Sequence, residues 1–150
     1  MHIDAHTDGS CLGNPGVGGF AAIMQAKGKE RICRGYDTDT KATNNRMELR
    51  AVICVVDWCN DVQKEPCEIT IHTDSQYLVN CHSHARSWLT SSGRPNNDLW
   101  LELIQKGLKG GHKITFVKVA GHSDDELNNR ADKLAREQAV KARHIVFGER

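Results

Sequence analysis

Residues 7–19 read T-D-G-S-C-L-G-N-P-G-V-G-G, and no other stretch limits the possible folds as tightly. The run before it, residues 3–8, is predicted to be a strand, with Ile3, Ala5 and Thr7 on one face and Asp4, His6 and Asp8 on the other. Glycines, an asparagine and a proline then break the pattern, which predicts a loop. Asp8 therefore projects from the carboxyl end of a strand, where ligands bind in open α/β sheets. An unpaired buried charge is costly, so a carboxylate at such a tip asks for a purpose. Asp-Gly is also an ordinary turn signal. Alone, the motif is weak.

Similar placements follow along the chain. Glu48 lies in N-N-R-M-E-L-R-A where a helical pattern starts, and Asp74 in I-T-I-H-T-D-S-Q-Y, again where a strand runs out. Asp132 lies in N-N-R-A-D-K-L-A on the last helical segment, ten residues after His122 in V-A-G-H-S.

The spacing predicts further strands over residues 19–25 and 31–36, joined by a hairpin turn at Lys27-Gly28-Lys29. Residues 37–45 are polar and patternless, hence a loop. Apolar residues recur at helical spacing from Met47 to Cys59, closed by Pro66 and the residues before it. Residues 68–73 alternate as a strand, residues 75–89 are helical in parts, and residues 91–95 break the chain. Residues 98–109 form a helix ended by Gly110-Gly111, and residues 113–119 a fifth strand. Ser123-Asp124-Asp125-Glu126 has the form of a capping box, so the last helix should start at Ser123 and run to about Arg143. The order β-β-β-α-β-α-α-β-α predicts an α/β fold with a mixed sheet.

A chain of 150 residues, without repeat, linker or low-complexity stretch, is expected to be a single domain. Its 20 Lys plus Arg nearly balance 19 Asp plus Glu, so net charge predicts no general attraction to nucleic acid. Six cysteines without a C-x-x-C pair are expected to be reduced and mostly buried thiols. No apolar run is long enough to span a membrane and the N-terminus has no targeting character, so the expected compartment is the cytoplasm.

Taken together, the four acidic motifs, in order and at fitting spacing from about residue 3 to 138, resemble type 1 ribonuclease H, which cuts the RNA strand of an RNA–DNA hybrid. The resemblance implies a five-stranded sheet of order 3-2-1-4-5 with strand 2 antiparallel. It also implies a single catalytic domain over residues 1–150 with a short C-terminal extension, and convergence of Asp8, Glu48, Asp74 and Asp132. Four converging carboxylates repel unless cations neutralise them. Oxygen ligands suit Mg²⁺, with Mn²⁺ as substitute. Two such ions ~4 Å apart would serve both the attacking and leaving oxygens at phosphorus, giving 5′-phosphate and 3′-hydroxyl ends.

The resemblance also assigns proton transfer and product release to His122, whose imidazole titrates near neutrality. Cys11, Asn14, Asn44, Asn45 and Gln76 match positions that contact the minor groove and 2′-hydroxyls, which are read by shape rather than sequence. Thr43 and Asn96 match a pocket for a DNA-strand phosphate. His6 and His72 each precede a carboxylate by two residues and are expected to be neighbours if strands one and four pair; a hydrogen-bonded core role is favoured for them.

The chain departs from the family pattern between Asp74 and Trp100. A lysine-rich loop and extra helix common in the family are missing, leaving Arg86, Arg94 and Trp88. The partner implied is an RNA–DNA hybrid, with no membrane and no obligate protein partner, so the chain is expected to be a monomer. Two other readings remain: an inactive nucleic-acid-binding domain, disfavoured by the intact acid set, and another nuclease of the same superfold, disfavoured by the N-P-G, N-N-R-M-E and D-S-Q-Y motifs.

Overall fold

Alternation of side chains, rather than long apolar runs, organises the sheet. In the computed structural model, which describes residues 1–83, 94–120 and 125–148, β1 (His2–Leu12), β2 (Gly16–Ala26) and β3 (Lys29–Ala42) form an antiparallel meander. Strands β4 (Glu68–Thr73) and β5 (Lys113–Lys118) add in parallel beyond β1, giving the order β3-β2-β1-β4-β5. This is the ribonuclease H-like topology expected, with β2 antiparallel to the rest of the central sheet.

Ile3 and Ala5 of β1 are fully buried in one apolar cluster with Leu49, Val52, Val55 and Val56 of helix α1 (Asn44–Trp58) and Trp100 and Leu103 of α3 (Asn97–Gly110). A short α2 (Gln76–His82) follows β4. Helix α4 (Glu126–Phe147) covers the opposite face through a stripe of buried alanines, Ala131, Ala135, Ala139 and Ala142. Such small side chains let helix and sheet backbones come close.

That closeness overturns the loop expected between the strands at residues 3–8 and 19–25. Both flanks are paired, with Gly9 opposite Phe20, Ser10 opposite Gly19 and Cys11 opposite Gly18, and only residues 13–15 turn. The glycines act as spacers. A Cβ on Gly9 would strike Met47 and the Glu48 amide of α1, and one on Gly19 would strike the Ala135 carbonyl and the Ala139 amide of α4.

Residues 37–42 are likewise strand rather than loop, but bulged. Asp37 pairs with Gly18 and Ala42 with Gly16, while Asp37 and Asp39 carboxylates accept from the Asp39 and Lys41 amides across the excess residues. Helix α1 starts three residues earlier than its apolar pattern because Thr43 caps it, its hydroxyl accepting from the Arg46 amide at 3.3 Å. A π-helical turn at Cys59–Gln63 then ends it at Lys64.

The last helix differs most at its ends. Its cap is Asp125, whose carboxylate accepts from the Asn128 amide at 3.1 Å, and it continues to Phe147 rather than stopping near Arg143. The expected cap Ser123, with His122, lies outside the described residues, as do Arg86 and Trp88. Among the described residues every cysteine is free; Cys59 and Cys67 are buried and the other four are half-buried. No helix there is long and apolar enough to cross a membrane.

Candidate active site

Parallel pairing of β1 with β4 sets His6 opposite His72, so Asp8 and Asp74, two residues on, lie side by side. Asp74 follows the end of β4, whereas Asp8, expected at a strand end, lies within β1, opposite Ala21, because β1 runs on to Leu12 in its pairing with β2. Glu48 comes from the first turns of α1, where Thr43 fixes the start of the helix. One carboxylate oxygen from each of Asp8, Glu48 and Asp74 lies within 4.8 Å of the others, and Asp8 and Glu48 are buried. Asp132 on α4 adjoins Asp8 and pairs with Arg136 one helical turn on, at 2.8 Å.

The acids are held before any ligand arrives. The Gly9 amide donates to Glu48 and, at 3.0 Å, to Asp8. The Thr73 hydroxyl donates to the other Glu48 oxygen at 3.4 Å, while accepting from the Ser75 amide at 3.0 Å. Burial pushes the Asp8 carboxyl up to about 7, with Asp74 and Asp132 adding to it, although its hydrogen bond with Glu48 pulls the other way. Burial, then the contact with Asp8, raises Glu48 well above the ordinary carboxylate range. Crowded oxygen donors that take up protons at neutral pH suit hard divalent cations, which would relieve the same repulsion. The donor set fits the metal expected.

The four acids line one open groove of about 380 Å³ together with Asn44, Asn45 and Gln76. Cys11 and Asn14 stand just beyond it, joined to Asn44. Asn44 Oδ1 accepts from the Cys11 amide at 3.0 Å, and Asn14 Oδ1 accepts from the Asn44 amide at 3.1 Å. Gln76 donates to Asn80 at 2.7 Å on its own helix.

Thr43 and Asn96 are linked through Arg46. The Thr43 hydroxyl caps its amide, and its guanidinium reaches Asn96 Oδ1 at 3.4 Å while pairing with both oxygens of Asp98 at 2.9 and 2.7 Å. The Tyr77 hydroxyl accepts from Asn96 at 3.0 Å and from the Trp100 indole at 2.9 Å, supporting Asn96 in its left-handed conformation (φ 66°).

Sequence reasoning passed over Tyr77, Ser75 and Thr73, although all three sit inside or beside the D-S-Q-Y motif. The only signal for them was adjacency to Asp74. His6 and His72 do meet, their rings stacked at 4.5 Å and 9°.

The family model for RNase H matches residues 2–140. The chain is 44% identical over 148 residues to a ribonuclease H of Prosthecochloris aestuarii, covering 93% of this chain and 95% of that one. It is 40% identical to one of Caldanaerobacter subterraneus subsp. tengcongensis, covering 93% and 92%. Among solved structures, LC9-RNase H1, described as a type 1 RNase H with the type 2 active-site motif, superposes with TM-score 0.79 at 26% identity, over 94% of this chain and 73% of that one. LC11-RNase H1, solved in complex with an RNA/DNA hybrid, shares the fold at TM-score 0.73 and 22% identity, over 93% and 98%. On this extent of sequence and structural likeness, the chain belongs to the ribonuclease H family.

Proposed function

We propose that this ribonuclease hydrolyses the RNA strand of RNA–DNA hybrids, leaving 5′-phosphate and 3′-hydroxyl ends, as one catalytic domain over residues 1–150. The observation that carries the reading is the cluster of Asp8, Glu48 and Asp74, with oxygens within 4.8 Å, at the mouth of an open groove. Asp8, Glu48, Asp74 and Asp132 would hold two Mg²⁺ ions, or Mn²⁺. When bound, such ions supply the positive charge that stabilises a phosphorus-centred displacement.

The remaining roles fall to the chain's own groups. The Gly9 amide and Thr73 hydroxyl keep Glu48 oriented, so the acids need little rearrangement to act together. Asn14, Asn44, Asn45, Gln76 and the Cys11 backbone present short polar groups to the sugar edges of a duplex. Thr43 and Asn96, braced by Arg46 and Tyr77, take a DNA-strand phosphate, setting register without reading bases. His122 carries a proton and aids product release. The enzyme acts as a cytoplasmic monomer.

The test is cleavage of an end-labelled RNA–DNA hybrid in Mg²⁺ beside labelled duplex RNA and duplex DNA. Cutting confined to the RNA strand of the hybrid is expected. Equal cutting of duplex DNA, or none of any substrate, would overturn the proposal.

A further inference from the structure

The alanine stripe that lets α4 lie close to the sheet also makes that contact smooth. Asn128 apart, the buried residues of α4 are Ala131, Ala135, Ala139 and Ala142, which offer no large side chain to interlock with the sheet, and Gly19 of β2 offers none in return. Close packing of this kind fixes the distance between helix and sheet far better than it fixes position along the helix axis. Asp132 rides on this helix, so its place beside Asp8 depends on that axial position.

Besides the contact of Asp132 with Asp8 itself, two ion pairs among the described residues tie the N-terminal half of α4 to the sheet. One is Arg130 with Glu30, at 2.8 Å, between side chains 39% and 36% exposed. A pair this open is screened and contributes ~0–1 kcal/mol. The other is His6 Nε2 with Asp125 Oδ2 at 3.4 Å, where the histidine side chain is only 10% exposed. His6 Nδ1 is buried with no partner, and a buried bare lone pair costs less than a buried unpaired N–H. This places the proton on Nε2, which donates to Asp125. The ring is clamped from behind by stacking on His72, whose Nε2 is held by Asp4 at 3.0 Å.

We propose that His6 is a positioning residue: its contact with the Asp125 cap locks α4 axially against β1, and so sets Asp132 relative to Asp8. Both ends of the lock are on the elements that carry the two acids. His6 precedes Asp8 on β1, and Asp125 precedes Asp132 by about two helical turns, ~10 Å along the axis. The inference rests on the metal-binding role proposed for these acids.

The experiment measures Mg²⁺ affinity by calorimetry on the whole chain without substrate, alongside kcat and KM for the hybrid. His6→Phe keeps a stacking ring and loses the donor, His6→Gln keeps a donor of similar reach, and Asp125→Ser keeps a helix cap but cannot reach His6. Support residues behind metal ligands typically affect affinity by ~10–100-fold. His6→Phe and Asp125→Ser should each raise the Mg²⁺ Kd about 10-fold and lower kcat at limiting Mg²⁺, with the KM for hybrid unchanged. The double variant should be no worse than either single one, and His6→Gln should stay close to the parent. A folded His6→Phe or Asp125→Ser with parental Mg²⁺ affinity, additive effects in the double variant, or His6→Gln as impaired as His6→Phe would each overturn the lock. If His6→Phe does not fold, Asp125→Ser and His6→Gln decide alone. A parent chain that binds no Mg²⁺ would instead sink the metal reading beneath it.

Discussion

Asp8 is where burial and charge conflict most sharply. Its carboxyl is 5% exposed and pushed up to about 7 by burial, whereas in the unfolded chain it titrates near ~4. A folded-state value above the unfolded one means the native state binds the extra proton. The stabilisation is therefore fully present below pH ~4 and is lost as pH rises through about 7. Asp4 and Asp125 are lowered, chiefly by hydrogen bonds from His72 and from the Asn128 amide, and act in the opposite sense. The parent must therefore be compared with a variant. Asp8→Asn should abolish hybrid cleavage in Mg²⁺ and, in chelator, should raise Tm relative to the parent at pH 8 more than at pH 5. Equal Tm differences at the two pH values would refute the assignment.

For His122, a proton carrier is worth ~10²–10⁴-fold in rate. His122→Ala should lose kcat in that range while retaining measurable cleavage, and Asp74→Asn should leave none. Equal losses, or full activity in His122→Ala, would remove the histidine from the reaction.

At the scale of elements, β2 and α4 are matched surfaces of glycine and alanine. A methyl group at Gly19 has no free volume and meets backbone, which cannot swing aside as a flexible side chain would. Overpacking of this kind costs ~1–3 kcal/mol, and relief would come from lifting α4, which moves Asp132 away from Asp8. Gly19→Ala is therefore expected to lower stability in urea by that amount and to weaken Mg²⁺ binding. Gly28→Ala makes a suitable control. Gly28 has φ 74° in a hairpin turn far along the strand from the acids, so it should cost stability but leave metal affinity alone. Loss of metal affinity in both variants would show that general destabilisation, not helix placement, is responsible.

For the whole molecule, the question is how a chain of net charge +1 holds a polyanion. Each phosphate neutralised steepens the salt dependence of binding, and the region between Asp74 and Trp100 supplies few cations for that purpose. Arg46 is partly committed to Asp98. Hybrid binding should therefore be weaker, and its salt slope shallower, than in relatives carrying a lysine-rich loop. Grafting such a loop between Leu89 and Asn96 should lower KM with little change in kcat. If KM and the salt slope stay put after the graft, other surfaces, such as Lys27, Lys29 and Arg46, already hold the duplex.

The acids were legible from sequence because their placement is local. Asp8 and Asp74 each end an alternating run, which marks Asp74 at the end of β4 correctly, although β1 continues past Asp8 to Leu12. Glu48 opens a helical pattern, and the motifs together were specific enough to name the family. What neighbours do to one another was not legible. Residues 9–18 look irregular because glycine carries no pattern, yet all but the turn at 13–15 join the strands, as α1 and α4 press on both sides of them. The bulge of residues 37–42 depends on pairing with β2, since its polar residues have no periodicity of their own. Asp125 caps α4, in a position where His6 of β1 reaches the same carboxylate. Likewise the Arg46–Asn96–Tyr77 linkage joins three segments that share no sequence motif. Periodicity records what each residue does within its own element; contacts between elements arise only when the chain has closed, and the tertiary structure alone decides them.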